Sequence, residues 1–346
     1  MALSPYIRLT HINATPLRTS IMRHGGEGTH AMSKFVYCDW SDIVWQIDES
    51  APATPVTVHA GSGNVESLAL AADKQLQMIA GPSGVEIRKT QGAHGYVSIY
   101  VDPQAYQVFL AKVRTRLVGF GQERIYFSSY DTAQGAQYIG EQIFQIRYLQ
   151  NGVAVPYVTI YPSQLTIPDP CHPSEEMAAY LNGDFAFGDN DKLYLATGNF
   201  SGENGILVRC GVYEVDGAGA DAVTGTVKRI YLAEGPISGL SYRSPNTLYF
   251  VRNDDICRLD LSATPPTETL VCTIPPSPIM PGVLDLAYVG DGLSWSQSWS
   301  VSGVLHNWLK AVAVWVWKVG LLVTTGKWPK KPGPKPPWTA RDRLPR

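Results

Sequence analysis

The chain has 346 residues, of which 45% are hydrophobic and 17% charged, and its formal net charge is −2. This composition is typical of a globular protein with one large domain or two small ones, and it excludes a disordered chain. From residue 301 onward nine Lys or Arg residues and one Asp give a formal charge of +8, so the first 300 residues carry −10. An acidic body argues against broad nucleic-acid binding, because phosphate contacts need a cationic surface.

The cysteines and the N-terminus bear on compartment and metal chemistry. None of the five cysteines forms a Cys-x-x-Cys unit, which argues against a zinc knuckle. Residues 1–5 lack the basic start and apolar core of a signal peptide. The sequence therefore leaves the localisation open: cytoplasmic by default, or extracytoplasmic if a leader is missing.

Short alternating segments separated by turn residues follow one another along the chain, which predicts many β-strands. They fall into groups at residues 35–59, 65–112, 114–161, 182–233, 236–274 and, for a sixth group that begins but does not finish, 281–300. The clearest hairpin is at residues 182–199, where Phe185 and Phe187 alternate with small residues before a polar turn and Leu193.

The hairpin pattern recurs, as an apolar residue, a second one two positions later and a Leu or Ile eight positions after the first. Two further copies fit this spacing: Leu68, Leu70 and Leu76, and Leu240, Tyr242 and Leu248. In a third, Leu117, Phe120 and Ile125, the second apolar residue comes one position late, and a fourth, Leu286, Tyr288 and Leu293, is shorter and weaker. A repeat of this spacing predicts an all-β, six-bladed β-propeller whose last blade is irregular or incomplete. A β-sandwich is the alternative, but it needs no repeated motif.

The repeat divides the chain into four parts. Residues 1–34 form an N-terminal segment that we expect to close the last blade, since closure removes a free sheet edge. Residues 35–303 form the propeller. Residues 304–326 are apolar and supply either last-blade strands or a weak membrane anchor, within 304–325, that Lys310 and Lys318 interrupt. Residues 327–346 are basic and Pro-rich, which predicts a disordered tail.

Two family resemblances follow from these motifs. Residues 35–40 and 248–254 resemble the blades of six-bladed propellers of the Tyr-Trp-Thr-Asp type and of the related NHL repeats. Residues 182–199 resemble a strand pair of glucose/sorbosone dehydrogenases and the Asn-Gly motif of lactonase-type propellers. The first resemblance implies the fold, and the second implies an enzyme.

Both enzyme motifs are incomplete in this chain. In the dehydrogenases a His base precedes the strand motif by two positions, where this sequence has Tyr180. The lactonase resemblance implies a divalent metal held by Glu, Asn and Asp from separate blades. Asn182 and Glu66 match, but no acid stands near Ser238 and Gly239. The alternative is a purely structural role, in which Glu66 and Asn182 only cap turns.

Charged residues near the starts of the predicted inner strands define a candidate site. In a propeller the first strand of each blade lines the central channel, so we expect five side chains to surround one mouth of it: Glu66, Arg116, Asn182, Asp184 and Asp285. One Arg among several acids favours mutual pairing or a bound divalent cation such as Ca²⁺. The alternative is that these groups solvate a wet channel.

A second prediction concerns a cysteine pair. Cys257 and Cys272 are equally distant from a turn at Thr264 and Pro265, so we expect them to lie opposite each other in one hairpin, as a disulfide or as two thiols.

The sequence supports two functions. The first is a non-catalytic β-propeller that binds a protein, glycan or small ligand through its loop face. The alternative is an enzyme of the sugar dehydrogenase or metal-dependent lactonase type with an incomplete motif. The cofactor is unknown apart from the cation considered above. The expected partners are a protein or glycan, with no nucleic acid.

Overall fold

The computed structural model describes residues 33–39, 42–61, 63–81, 86–101, 108–131, 144–169, 172, 174–178, 184–189, 192–197, 210–216, 226–235, 237–276, 282–290 and 293. Within these residues the protein is all-β, and the helical elements are short 3-10 turns, such as Gly119–Gly121 and Pro162–Gln164.

In chain order the strands are β1 (Lys34–Cys38), β2 (Ile43–Asp48), β3 (Val56–Ala60), β4 (Val65–Leu70), β5 (Leu76–Ala80), β6 (Glu86–Thr90), β7 (Tyr96–Val101), β8 (Val108–Val118), β9 (Gln122–Asp131), β10 (Phe144–Gln150), β11 (Val153–Ile160), β12 (Thr166–Pro168), β13 (Glu176–Ala178), β14 (Asp184–Phe187), β15 (Leu193–Ala196), β16 (Cys210–Asp216), β17 (Thr226–Ala233), β18 (Ile237–Arg243), β19 (Thr247–Arg252), β20 (Asp255–Asp260), β21 (Thr267–Thr273) and β22 (Asp285–Gly290).

The strands form five antiparallel sheets of four strands each and one small two-stranded sheet, β12–β13. Four of the larger sheets take their strands consecutively from the chain: β4 to β7, β8 to β11, β14 to β17 and β18 to β21. The other combines strands from distant parts of the chain, in the order β22-β1-β2-β3.

The five sheets are the blades of a β-propeller. Their first strands, β22, β4, β8, β14 and β18, contact one another in that order, and β18 contacts β22 again, so the ring is closed. This arrangement places one edge of each sheet at a central channel and leaves the opposite edge outermost.

The predicted propeller is confirmed, but the predicted number of six blades is wrong. The group at residues 35–59 provides only three strands, and the apparent start of a sixth blade, β22, is the missing inner strand of that first blade. Antiparallel pairing of β22 with β1 sets Asp285 opposite Cys38 and Tyr288 opposite Phe35. We assigned the closing role to residues 1–34. Of these, residues 1–32 lie outside the described residues, and Lys34 is the first residue of β1.

Apolar side chains pack between neighbouring blades and hold them against each other. Between the last and first blades, Phe35 packs edge-on against Tyr249, and Tyr249 stacks on Tyr288 with ring centroids 5.4 Å apart. Phe35 is fully buried. Burial of such a side chain stabilises the fold by roughly 1.5–3 kcal/mol, so contacts of this kind hold the ring shut.

The clearest predicted hairpin is confirmed, with Phe187 of β14 opposite Leu193 of β15. The copy of the pattern at Leu117 and Phe120 does not supply inward-packing residues to its blade. Leu117 lies at the exposed end of β8, and Phe120 is fully exposed in the turn that follows, with a positive φ of 65°. The residues of β8 that pack inward come earlier in the chain.

The predicted pairing of Cys257 with Cys272 is wrong. A bulge after Ile256 shifts the register, so that Cys272 pairs with Ile256 and Cys257 with Leu270. Side chains alternate between the two faces of a sheet, and the two sulfurs accordingly belong to different apolar clusters. Both cysteines are buried free thiols.

The two C-terminal predictions, for residues 304–326 and 327–346, concern a part of the chain outside the described residues. Among the helices that the structure does describe, none has the length and apolar character needed to span a membrane.

Candidate functional site in the central channel

Arg114 of β8 lies in the middle of the channel with 7% of its surface exposed. Its guanidinium donates to three backbone carbonyls. The Nε–H bonds the oxygen of Phe185 in β14 at 2.7 Å, and Nη1 bonds those of Leu68 in β4 at 3.2 Å and Val113 at 2.6 Å. One side chain thus links the inner strands of three consecutive blades.

Two carboxylates complete the coordination of Arg114. Nη1 and Nη2 donate to the two oxygens of Asp285 in β22, each at 3.0 Å, in a bidentate pair. Nη2 also donates to Oδ1 of Asp184, the first residue of β14. Since a guanidinium has five N–H groups and all three nitrogens are engaged, Arg114 ties four blades together and has little donor capacity left for a ligand. We refer to Arg114, Asp184 and Asp285 as the central clasp.

The two acids of the clasp differ in their surroundings. Asp285 accepts further hydrogen bonds from the backbone N–H groups of Leu286 and Leu68, at 2.7 and 3.0 Å, and from the Ser67 hydroxyl. From the described residues, Asp184 accepts hydrogen bonds only at Oδ1, from Arg114 and from the N–H of Phe185 at 2.7 Å. Its buried Oδ2 has no hydrogen-bond partner within the described part of the chain.

These surroundings shift the pKa values of the two carboxyl groups in opposite directions. Burial raises the pKa of Asp285, but Arg114, Lys112 and Ser67 outweigh burial, and the pKa is lowered. Burial raises the pKa of Asp184 to about 7, with Arg114 opposing the shift and Asp285 adding to it. Burial also lowers the pKa of Arg114, yet the two carboxylates more than compensate, so the guanidinium stays charged.

Lys112 and Glu66 lie on the same side of the channel, toward the N-terminal ends of the inner strands. The Lys112 ammonium donates to the backbone oxygen of Leu284. Burial raises the pKa of Glu66, and Lys112 partly counters the shift. Buried charges in this region are therefore neutralised mainly by one another.

The structure brings together two of the five predicted site residues, Asp184 and Asp285. Glu66 lies near Lys112. Arg116 is placed away from the acids, with its guanidinium 5.1 Å from the centre of the Phe187 ring. Asn182 lies outside the described residues. Whether any of the five binds a ligand or metal stays a prediction.

Sequence reasoning missed Arg114, Lys112 and Ser67. We placed the start of this inner strand at residue 114, whereas β8 begins at Val108. Arg114 and Arg116 share one face of the strand, but two residues span about 6.6 Å, so Arg114 alone is level with the acids. Residues 106–112 fit a short helix as well as a strand, so the sequence did not indicate that β8 begins before residue 114.

A cavity of about 210 Å³ lies on the other side of the clasp, toward the C-terminal ends of the inner strands. All five inner strands line it, with Leu68, Ala69, Leu70, Arg114, Thr115, Ala186, Phe187, Leu240, Ser241, Tyr242, Leu286, Ala287 and Tyr288. Arg114 separates this cavity from Asp184 and Asp285, which do not line it.

Three partly buried aromatic side chains lie at this end of the channel: Phe187, Tyr242 and Tyr288. Tyr242 stacks on Tyr194 at 5.9 Å, and its hydroxyl bonds Asp189 at 3.0 Å. The Ser241 hydroxyl oxygen accepts the Tyr288 N–H at 2.9 Å. These contacts hold Ser241 and Tyr242 in fixed positions in the cavity wall.

The described residues contain no group of three or more His, Cys, Asp or Glu side chains arranged to hold a metal ion. Arg114 binds both oxygens of Asp285 and Oδ1 of Asp184, and within the described residues this leaves Oδ2 of Asp184 without a partner. The Ca²⁺ site predicted from Glu66, Asn182 and Asp184 therefore has no completed ligand set among the described residues.

No family description and no curated protein matches the chain. Solved structures match weakly. A protein of unknown function from Bacteroides caccae is 8% identical over 74% of this chain and 98% of that one, with a TM-score of 0.40. The PQQ-bound form of an aldose sugar dehydrogenase from Streptomyces coelicolor is 11% identical over 62% and 83%, with a TM-score of 0.36. Virginiamycin B lyase from Staphylococcus aureus is 12% identical over 69% and 64%, with a TM-score of 0.33. At this level of similarity the matches carry no conclusion about activity, and the fold assignment rests on the closed ring of five sheets.

Proposed function

We propose that the protein is a non-catalytic β-propeller that binds a glycan by taking one neutral sugar ring into the cavity at the C-terminal ends of its inner strands. The observation that carries the proposal is the composition of the cavity wall. Its described part combines three aromatic rings with hydroxyl groups and contains no carboxylate, His, Lys or Cys.

The size of the cavity fits a single ring. Its volume of about 210 Å³ is below the roughly 300–1,000 Å³ of sites for drug-sized ligands. A sugar residue presents an apolar face to an aromatic ring and hydroxyl groups at its edge. Phe187, Tyr242 and Tyr288 match the face, and Ser241 and Thr115 match the edge.

Charge favours a neutral ligand over an anion. Arg114 is the single guanidinium in the described wall, and its N–H groups already bond backbone oxygens and the two carboxylates. An anion in the cavity would find an already neutralised cation and would lose its own hydration.

The alternative, a sugar dehydrogenase or lactonase-type enzyme, requires an acid, base or metal at the bound ligand. The acids of the channel lie behind Arg114, away from the cavity. No observation on the described residues favours this alternative over binding.

Binding is tested by titrating a panel of neutral monosaccharides and short glycans into the protein and recording ligand NMR signals. We expect saturable binding of at least one of them, and its loss in Ser241→Tyr, which fills the cavity. Ser262→Tyr is the matched control, because Ser262 is exposed in the turn after β20. An unchanged melting temperature must show that both variants fold.

Two results would overturn the proposal. One is that no neutral sugar binds more tightly than roughly 10 mM, a binding free energy of only about −3 kcal/mol. The other is that binding survives in a folded Ser241→Tyr protein. Turnover of a sugar with an added electron acceptor would establish the enzyme alternative instead.

A further inference from the structure

The central clasp contains two buried carboxyl groups and one guanidinium. Asp184 and Asp285 are 2% and 0% exposed. With both acids ionised the three side chains carry a net charge of −1, and with one acid protonated they are neutral. Since charge is costly to bury, the neutral form is favoured.

We propose that Asp184 holds a proton in the folded protein and that this proton acts as a switch on the cohesion of the propeller. When Asp184 is protonated the clasp is neutral and the blades are held firmly. When Asp184 loses the proton, an extra negative charge is trapped where four inner strands meet, and the ring is weakened.

Hydrogen bonding identifies which acid takes the proton. Asp285 is surrounded by donors: both Nη groups of Arg114, the N–H groups of Leu286 and Leu68, and the Ser67 hydroxyl. A carboxylate with so many donors is stabilised as the anion. Asp184 has donors at one oxygen only, and its Oδ2 has none among the described residues. The proton therefore goes to Asp184.

The other ionisable groups facing the clasp do not change this assignment. Lys112 of β8 acts on both acids, but its ammonium bonds the Leu284 carbonyl rather than Asp184. Glu66 of β4 lies beside Lys112 and counters its charge. Cys38 of β1 lies next to Asp285, and its buried thiol has a raised pKa and stays neutral.

The direction of the pH effect follows from proton binding. The pKa of Asp184 is raised from 3.8 to about 7 in the folded protein by burial, whereas in the unfolded chain it returns to the ordinary value. Between these two values the folded state binds one proton more than the unfolded state. The stabilisation is complete below the unfolded pKa, declines as pH rises and is lost above about pH 7.

The test measures unfolding by urea between about pH 5 and about pH 8. For the native protein we expect Asp184 to contribute an increase of about tenfold per pH unit in the unfolding equilibrium constant up to about pH 7, and none above it. Asp184→Asn, which mimics the protonated acid, should remove this contribution. It should therefore be more stable than the native protein at about pH 8.

Glu66→Gln is the control, because Glu66 is also a channel acid whose pKa is raised by burial, but it is only partly buried and lies beside Lys112. It should keep the Asp184 contribution. The proposal is overturned if Asp184→Asn keeps the native pH dependence, or if Glu66→Gln alone removes it.

An infrared titration of the full chain provides a second measurement that does not require the variant to fold. We expect the C=O stretch of a protonated carboxylic acid at about pH 6 and its disappearance above about pH 7, in the native protein and in Glu66→Gln alike. A spectrum without such a band at about pH 6 would contradict the proposal, whatever the behaviour of Asp184→Asn.

Discussion

Gly239 of β18 lies directly against Leu286 of β22, so closely that a Cβ atom on Gly239 would come within 2.5 Å of the Leu286 amide nitrogen. Gly239 also has a positive φ of 74°. It precedes the apolar residue of its inner strand, as Asp184, Asp285 and Ser67 do in theirs. The inner strands of the last and first blades, β18 and β22, can therefore come this close because Gly239 has no side chain.

This contact predicts a cost for any side chain at Gly239. We expect Gly239→Ala to lower the free energy of unfolding by more than the roughly 1–2 kcal/mol that a left-handed backbone alone costs an alanine, because the new methyl group also collides with backbone atoms of β22. Urea unfolding measures the loss.

Gly61→Ala is the control, because it measures the cost of a positive φ for alanine without a collision. Gly61 has a similar φ of 84°, but a Cβ atom there would meet nothing within 4 Å. Equal losses in the two variants would show that β18 and β22 are not in close contact.

Arg114 and Arg116 should differ sharply in their importance. Removing one partner of a buried ion pair costs about 3–5 kcal/mol, because the other charges stay buried without a counter-ion. We expect Arg114→Met to lose stability on this scale or to fail to fold. Arg116→Met, at a half-buried site beside the Phe187 ring, should lose about 0.5–1 kcal/mol. Thermal and urea unfolding of both variants provide the comparison, and a larger loss in Arg116→Met would show that the level of the clasp along β8 is misplaced.

Cys257 and Cys272 should stay reduced even in an oxidising buffer. Their side chains lie in different apolar clusters, and burial raises the pKa of both thiols, to about 12 for Cys257 and about 11 for Cys272. Little reactive thiolate therefore forms at neutral pH. Peptide mapping by mass spectrometry after oxidation should find no crosslink between the two cysteines. A crosslinked peptide in folded protein would restore the sequence-based register.

Deletion of residues 327–346 should leave the body of the protein intact. The ring described by the structure is closed by β22, which ends at Gly290. We expect the melting temperature to change by less than about 2–4 °C, the shift that about 1 kcal/mol produces in a large domain. A greater loss would show that the basic tail takes part in the fold.

The hairpins could be predicted from sequence because they are local. Phe185, Phe187 and Leu193 alternate around a polar turn, and the pairing of Phe187 with Leu193 follows from those few residues. The same local reasoning located most of the strands, and the repetition of the pattern indicated a propeller rather than a sandwich.

The number of blades and the channel residues could not be predicted in this way, because both depend on contacts between distant parts of the chain. The pattern at Leu286 and Tyr288 looks like the start of a new blade until β22 is seen to pair with β1. Arg114 had no distinguishing local feature, and its role depends on acids that lie 70 and 171 residues further along the chain. Both acids were predicted as site residues from their positions at strand starts, but their partner Arg114 was not.

The first blade takes three strands from residues 34–60 and the fourth from residues 285–290. During synthesis on the ribosome, four blades can therefore assemble while the first remains one strand short. Until β22 emerges from the ribosome, β1 has an unpaired edge and β18 lacks its neighbouring inner strand. Arg114 also lacks Asp285, its bidentate partner. The ring is therefore completed only after β22 has emerged, and a pause in synthesis before that point would leave the first blade with an unpaired strand edge for chaperones to bind.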